Sequence, residues 1–308
     1  MRVAVLGPGG VGGLLAAVLD REGTTVTVVG RRSTAEEIAR RGLLLDSVRF
    51  GEFVARPRAV EKLEEPVDAL IVATKAAGLL SALERIAVDP GLVLPLLNGL
   101  DHLAPLRERF PADSVLAGAI RVEADRPAPG VVVHTSSFLL IEMAARRAGQ
   151  LDAPARARIR ALAQALVQAG VPVHVLDSEA QVMWSKLVRL NALACTTSAY
   201  DKLLGEIRST PELRADLVGA IEEGCAVGRA EGAEVDPVTA MVELEEAHDT
   251  LGSSMQRDIA AGREPELDAI PGSVLRAAAR HGLQCPTITR LAALIARRAG
   301  LPMLAFGR

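Results

Sequence analysis

Gly7, Gly9 and Gly12 form a Gly-x-Gly-x-x-Gly run directly behind the apolar stretch Val3–Leu6 and ahead of apolar positions at helical spacing over 11–20. In a strand–turn–helix setting that spacing has a chemical reason. The first glycine permits a tight turn, the second lets the backbone come up to a pyrophosphate, and the third lets the helix pack closely on the strand. The phosphate would rest on the open N–H groups at the helix N-terminus, which places Gly10 and Val11 in the candidate site beside the three glycines. The alternative is a glycine-rich turn with no ligand.

The end of the next strand selects between dinucleotides. A ribose 2′-hydroxyl calls for Asp or Glu there, whereas this chain has Gly30-Arg31-Arg32. A carboxylate would repel a 2′-phosphate and an arginine can hold it bidentately. The expected cofactor is therefore NADPH, with Arg31 as its 2′-phosphate ligand. The other reading makes the two arginines solvated charges at the start of a surface helix.

Two further polar positions follow predicted strands. Lys75 comes after Ala69–Ala73 and Asn98-Gly99 after Leu92–Leu97. In an open parallel sheet, ligands bind beyond the carboxyl ends of the strands, so both positions are expected to face cofactor or substrate. Lysine is scarce here: Lys62, Lys75, Lys186 and Lys202 are the four in the chain, and arginine fills every other cationic position. Where a lysine does occur, chemistry specific to an ammonium is a reason to look for it.

The elements that must position these groups read as two blocks. Across the first, a β-branched run at Thr25–Val29 and short strand-like runs at Val3–Leu6, Ala69–Ala73, Leu92–Leu97, Val115–Ile120, Val131–Val133 and Phe138–Ile141 alternate with helical stretches. This pattern implies a mostly parallel sheet with crossover helices. A helix over 152–169 and a last strand at Val171–Leu176 close the block. From Asp177 the strand signal vanishes, and 180–206, 211–232, 236–261, 271–282 and 286–299 read as helices. The expected fold is α/β: a Rossmann-type domain over 1–176 followed by an all-helical domain over 177–308.

Composition narrows the function classes. Of 308 residues 49% are hydrophobic and 2% aromatic, so leucine, valine and alanine must fill the cores. Net charge is −3 with acids and bases intermingled, which offers neither a basic stripe for nucleic acid nor a polybasic membrane anchor. No apolar stretch is long enough to span a bilayer. Cys195, Cys225 and Cys285 are far apart and odd in number, which argues for a reducing, cytoplasmic setting and against a disulfide framework or zinc site. The histidines show no metal spacing, His134, His174, His248 and His281 reading as turn or surface residues. Cys195 and Cys225 read as small core residues, and Trp184 as packing.

Taken together, these residues resemble the ketopantoate reductases. The resemblance runs through the glycine turn, Arg31, Thr74-Lys75-Ala76, Asn98-Gly99, Trp184-x-Lys186-Leu187, Ser253-Ser254-Met255-Gln256-Arg257-Asp258, Glu266-Leu267-Asp268, Gly272, His281-Gly282 and Pro286-Thr287. It implies NADPH-dependent reduction of ketopantoate to pantoate, a step toward pantothenate and coenzyme A, with Lys186 as the general acid. A hydride added to a ketone leaves an alkoxide, and a lysine supplies both the proton and a positive field. By the same resemblance Asn98, Ser254 and Glu266 meet the substrate, and Asn98 and Glu266 also join Gly7, Gly9, Gly10, Val11, Gly12, Arg31 and Lys75 around the cofactor. The partner is a small 2-oxo acid; a homodimer through the helical domain is allowed, with no residue singled out for it.

The chain also departs from the family pattern. Positions four and eight after the lysine, asparagines in the family, are Leu190 and Ala194, and Leu251 replaces a third. Asn191 lies about 140° around the helix from Lys186 and cannot simply substitute. A second expectation follows, reduction of another 2-oxo acid or ketone in a more apolar pocket. A third is a non-catalytic NADP(H) sensor, which would need neither Lys186 nor Glu266.

Overall fold

The computed structural model describes residues 1–302; the last residues of the expected helical domain, 303–308, lie outside the described ones. The chain forms two compact units, one of residues 1–97 and 102–182, the other of residues 98–101 and those from Met183 onward. The second unit thus begins past the compositional change at 176 and borrows a four-residue turn from the middle of the first.

The first unit runs β1 (Arg2–Leu6), α1 (Gly10–Arg21), β2 (Thr25–Val29), α2 (Arg32–Arg41), β3 (Leu43–Ser47), β4 (Phe53–Ala55), β5 (Arg58–Val60), β6 (Ala69–Val72), α3 (Leu79–Leu83), β7 (Val93–Pro95), α4 (Leu103–Arg109), β8 (Ala117–Arg121), β9 (Ala124–Ala128), β10 (Val131–His134), β11 (Leu140–Ala144), α5 (Ala153–Gln168) and β12 (Val173–Leu176). Its main sheet has the order β5-β2-β1-β6-β7, every pair parallel. Successive side chains feed opposite faces. Val3, Val5, Val26, Val28, Ile71 and Leu94 enter one core. Ala4, Leu6, Val29, Leu70, Val72 and Val93 enter the other. A sheet buried on both faces favours continuous apolar strands, as in β6 and β7 and in β1 after Arg2. Strand β2 instead interleaves Thr25 and Thr27 with valines, and its buried Thr27 is tolerated as a β-branched residue.

Two smaller sheets, β4-β3-β10-β9 and β12-β11-β8, mix parallel and antiparallel pairs. Strands β3, β4, β5 and β9 were not among the expected strands, although β3 opens with Leu43-Leu44-Leu45. They are short or half-exposed, and β9 carries Pro127, which an edge strand tolerates because its N–H side needs no partner.

The second unit takes up α6 (Glu179–Tyr200) from Met183, then α7 (Leu204–Ser209), α8 (Pro211–Ala230), α9 (Pro237–Glu246), α10 (Ser254–Ala260), a π turn (Asp268–Gly272), α11 (Ser273–Arg280) and α12 (Pro286–Arg298). Pro211, Pro237 and Pro286 occupy the first helical positions, where a missing N–H costs nothing.

Two helices expected as continuous are broken. The stretch 180–206 stops at Tyr200 because Asp201 adopts a left-handed φ of 55°. That conformation is held by Gln256, whose Nε2 donates to Asp201 Oδ1 at 3.2 Å, and by an ion pair from Arg298 at 2.9 Å. The stretch 236–261 opens into a loop over 247–253 because α7 competes for its carbonyls. Leu204 N and Gly205 N donate to Leu251 O and Asp249 O, each at 2.9 Å, and Arg208 donates to the carbonyls of Leu244, Glu245 and Ala247.

Candidate active site and dinucleotide turn

At the dinucleotide turn each glycine has a separate geometric cause. Gly7 has φ +90°, and a Cβ there would meet the Thr74 Cγ2 at 2.8 Å. A Cβ on Gly12 would lie 2.2 Å from Gly7 O, and one on Gly10 would lie 2.3 Å from Ala124 O, so helix α1 is packed down on the turn and on β9. At Gly9 a Cβ would meet nothing within 4 Å. Space is open where the second glycine should let a phosphate approach. No side chain caps α1 and its first turn holds no acid. Its leading N–H groups, those of Gly10, Val11 and Gly12, precede the first intrahelical bond, from Gly13 N to Gly9 O at 2.8 Å. Beside the turn the buried Thr74 hydroxyl has no hydrogen-bond partner. The donor set and the open cradle fit a dinucleotide pyrophosphate.

Arg31 and Arg32 differ in a way the sequence did not show. Arg31 is the exposed N-cap residue of α2, and its guanidinium has no side-chain partner among the described residues. Arg32 is engaged, its Nε 2.9 Å from Glu36 Oε1. Lys75 is exposed at the end of β6, ahead of a short 3-10 turn over 76–78.

The second unit gathers the other group. Lys186, two residues past the fully buried Trp184, lies in the second turn of α6 and is half-buried. Its Nζ donates to Asn98 Oδ1 at 2.9 Å, and Asn98 Nδ2 donates to Glu266 Oε2 at 2.9 Å. Residues far apart in sequence thus form one chain, ammonium to amide to carboxylate. Only one orientation of the amide serves both ends, with oxygen toward the donor and nitrogen toward the acceptor.

Backbone geometry explains the meeting. Gly99 has φ +82°, and a Cβ on it would lie 1.9 Å from Ala269 O. Only glycine lets the turn carrying Asn98 come this close to the π turn that follows Glu266. That π turn has its own cause. Pro271 has no N–H to give to Leu267 O, so the bond is made one residue later, from Gly272 N to Leu267 O at 3.1 Å.

Ser254 is the exposed first residue of α10, and its hydroxyl has no partner among the described residues. Ser253 before it caps the helix, accepting from Gln256 N at 3.1 Å, and itself accepts from Thr197 Oγ1 at 2.8 Å. Thr197 and Ser253 are both buried; Ser253 belongs to the Ser253-Ser254-Met255 run, and Thr197 was not singled out by sequence reasoning. Asn191, turned away from Lys186 by helical spacing, is fully buried and accepts from Cys195 Sγ at 3.4 Å. Leu190 and Leu251 are partly exposed, and Ala194 is buried.

The remaining residues of interest are structural. His134, expected as a turn or surface residue, instead ends β10 and is 1% exposed, between the hydroxyls of Ser47 at 2.7 Å and Ser136 at 3.3 Å. Burial, with the charge of Arg49, lowers its pKa from the ordinary 6.5. All three cysteines are buried and free, and burial pushes the Cys225 and Cys285 thiols up to about 11. Among the described residues no cluster of three or more His, Cys, Asp or Glu could hold a metal ion, and no helix is long and apolar enough to cross a membrane.

Comparison with known proteins places the chain in a family. The family profile described as Ketopantoate reductase PanE/ApbA matches residues 3–144, and its C-terminal counterpart matches residues 180–299. The chain is 30% identical to the 2-dehydropantoate 2-reductase of Halobacterium salinarum, over 96% of this chain and 98% of that one. It superimposes on the 2-dehydropantoate 2-reductase of Geobacter metallireducens with a TM-score of 0.87 at 26% identity, covering 96% of this chain and 99% of the other. A ternary structure of D-mandelate dehydrogenase with NADH and anilino(oxo)acetate shares the fold at 23% identity with a TM-score of 0.86, covering 97% and 98% of the two chains.

Proposed function

The chain belongs to the ketopantoate reductase family, and from that premise we propose that it reduces ketopantoate (2-dehydropantoate) to pantoate with NADPH, the step that feeds pantothenate and coenzyme A synthesis. The observation that carries the proposal is the hydrogen-bonded chain from Lys186 through Asn98 to Glu266. A binding protein that only sensed the nucleotide would gain nothing from holding an ammonium this way.

Bound NADPH would supply the hydride. The glycine turn, Gly10 and Val11 would hold its pyrophosphate, and Arg31 would hold the 2′-phosphate. Lys75 lies at a strand end suited to the same ligand. As the ketone carbon gains the hydride, its oxygen becomes an alkoxide. Lys186 donates a proton from Nζ to that oxygen and recovers one from solvent. An ammonium is suited to this because it lowers the energy of the developing charge before the proton moves. Asn98 holds Nζ by accepting from it, and Glu266 fixes the amide by accepting from Nδ2. The Ser254 hydroxyl is a candidate donor to the substrate's polar groups.

A second reading rests on Leu190 and Leu251, partly exposed where the family carries amides, and on Asn191, turned into the core. These favour a 2-oxo acid with an apolar substituent over the hydroxylated ketopantoate. One experiment separates the readings: steady-state oxidation of NADPH and of NADH, followed by nicotinamide absorbance, with ketopantoate and a panel of branched and aryl 2-oxo acids. The first reading expects the highest kcat/KM with ketopantoate and NADPH. A site that hydrogen-bonds a hydroxyl can reject analogues lacking it by about 10⁴-fold, so near-equal rates across the panel favour the second. Tight NADPH binding with no turnover of any 2-oxo acid contradicts both.

A further inference from the structure

Lys186 is held by partners that arrive on two separate pieces of chain. Asn98 belongs to the turn 98–101, which has no regular secondary structure of its own. Glu266 precedes the π turn over Asp268–Gly272. The two 2.9 Å hydrogen bonds exist only while both backbones keep their places. Gly99 against Ala269 lets them approach, but a close approach does not by itself hold them together.

One side chain spans both. Arg276, in the first turns of α11, donates from Nε and Nη2 to Asp101 Oδ2 at 3.2 and 2.6 Å. It donates from Nη1 to Asp268 Oδ1 at 2.7 Å and from Nη2 to Asp268 O at 2.9 Å. Asp101 stands three residues after Asn98, and Asp268 two after Glu266. We propose that Arg276 is a positioning residue for the proposed proton donor, a clamp that locks the turn bearing Asn98 to the segment bearing Glu266 and so fixes the direction of the Lys186 ammonium. The proposal rests on the reading of Lys186 as the acid.

The side chains of Arg276, Asp101 and Asp268 are 37%, 48% and 68% exposed. At such exposure an ion pair contributes little to global stability. A planar guanidinium making four bonds to two segments nonetheless restricts their relative movement in a way a flexible ammonium cannot. The clamp therefore matters for placement and little for folding, and removing it should leave a folded protein with a misaligned acid. Displacement by about 1 Å can cost on the order of 100-fold in rate.

The test compares Arg276→Ala, Arg276→Lys and Asp101→Asn with the unaltered protein. In Arg276→Ala, kcat should fall about 10- to 100-fold while the melting temperature and NADPH affinity hold. The alkaline limb of the kcat–pH profile should move to lower pH, because an ammonium that loses its fixed hydrogen-bond acceptor gives up its proton more readily. Removal of the Arg276 charge, which leaves Asp101 and Asp268 unpaired, acts in the opposite direction, so a downward shift reports the lost acceptor. Arg276→Lys, which can reach one aspartate at a time, should fall between. Unchanged kcat and pH profile in Arg276→Ala overturn the clamp. So does a loss of kcat that merely tracks a lowered melting temperature with the pH limb unmoved. A readout without substrate separates this from failure of the reductase reading: the pH dependence of Lys186 acylation by an amine reagent, followed by peptide mass spectrometry. If no 2-oxo acid is reduced, a lower apparent pKa of Lys186 in Arg276→Ala still supports the clamp, and an identical or raised one, as loss of the Arg276 charge alone would give, overturns it.

Discussion

Lys186 and Glu266 carry opposite charges, yet they meet through the Asn98 amide, 2.9 Å from each. Replacing Asn98 by alanine should leave the ammonium without its fixed acceptor. Steady-state kinetics should show kcat reduced by about 10²-fold, with NADPH affinity little changed. Arg31 is unpaired among the described residues while Arg32 is bound to Glu36, so Arg31→Ala should weaken NADPH binding roughly tenfold and NADH binding hardly at all. Equal losses for both nucleotides in a fluorescence titration would remove Arg31 from the 2′-phosphate site. The candidate groups were legible one at a time: Lys186 because lysine is scarce here, Asn98 because it follows a strand, Arg31 because it stands where an acid otherwise would. Their pairing was not legible, since it depends on which residues lie at the two ends of an amide. Neither was the role of Arg276 and Asp101, which in sequence are ordinary surface charges, nor that of Asp268, which stood in the Glu266-Leu267-Asp268 motif with no partner assigned.

Among the strands with both faces buried, β1, β6 and β7 are legible as apolar runs and β2 as a β-branched one, and helices beginning with Pro211, Pro237 and Pro286 are legible at their starts. The breaks at Asp201 and over 247–253 were silent, because they are made by tertiary competitors, Gln256 and Arg298 in one case and α7 in the other. The turn at Gly99 is the element on which the arrangement depends most. Gly99→Ala meets both an unfavourable φ and a backbone oxygen 1.9 Å from the new atom. It should displace Asn98, lowering kcat by at least about tenfold and destabilising the protein by about 1–3 kcal/mol. A denaturant titration and a kinetic assay on the same sample check both, and an unperturbed variant would show the turn to be adaptable.

For the molecule as a whole, the division into a sheet-bearing first unit and a helical second unit followed from the loss of strand signal after 176; the inclusion of 98–101 in the second unit did not, because a four-residue turn leaves no compositional trace. Global stability should carry the signature of His134. Its folded pKa is depressed by burial, so the unfolded chain binds the proton more readily. This group's contribution is fully present above the unfolded value of about 6.5 and is lost as pH falls below it toward the folded value. Urea unfolding on either side of that pH should show the decline in the unaltered protein and a smaller one in His134→Gln. The proposed reaction divides between the units in a similar way, with nucleotide binding assigned to the first and proton donation to the second. Lys186→Ala should therefore leave NADPH affinity intact while kcat for 2-oxo acid reduction falls by about 10²–10⁴-fold, with little recovery in Lys186→Arg, whose guanidinium holds its proton too tightly. Measuring NADPH affinity and kcat together for Lys186→Ala is the most direct test. Retained binding with that loss of turnover is the predicted result, and near-normal turnover would contradict the account at its centre.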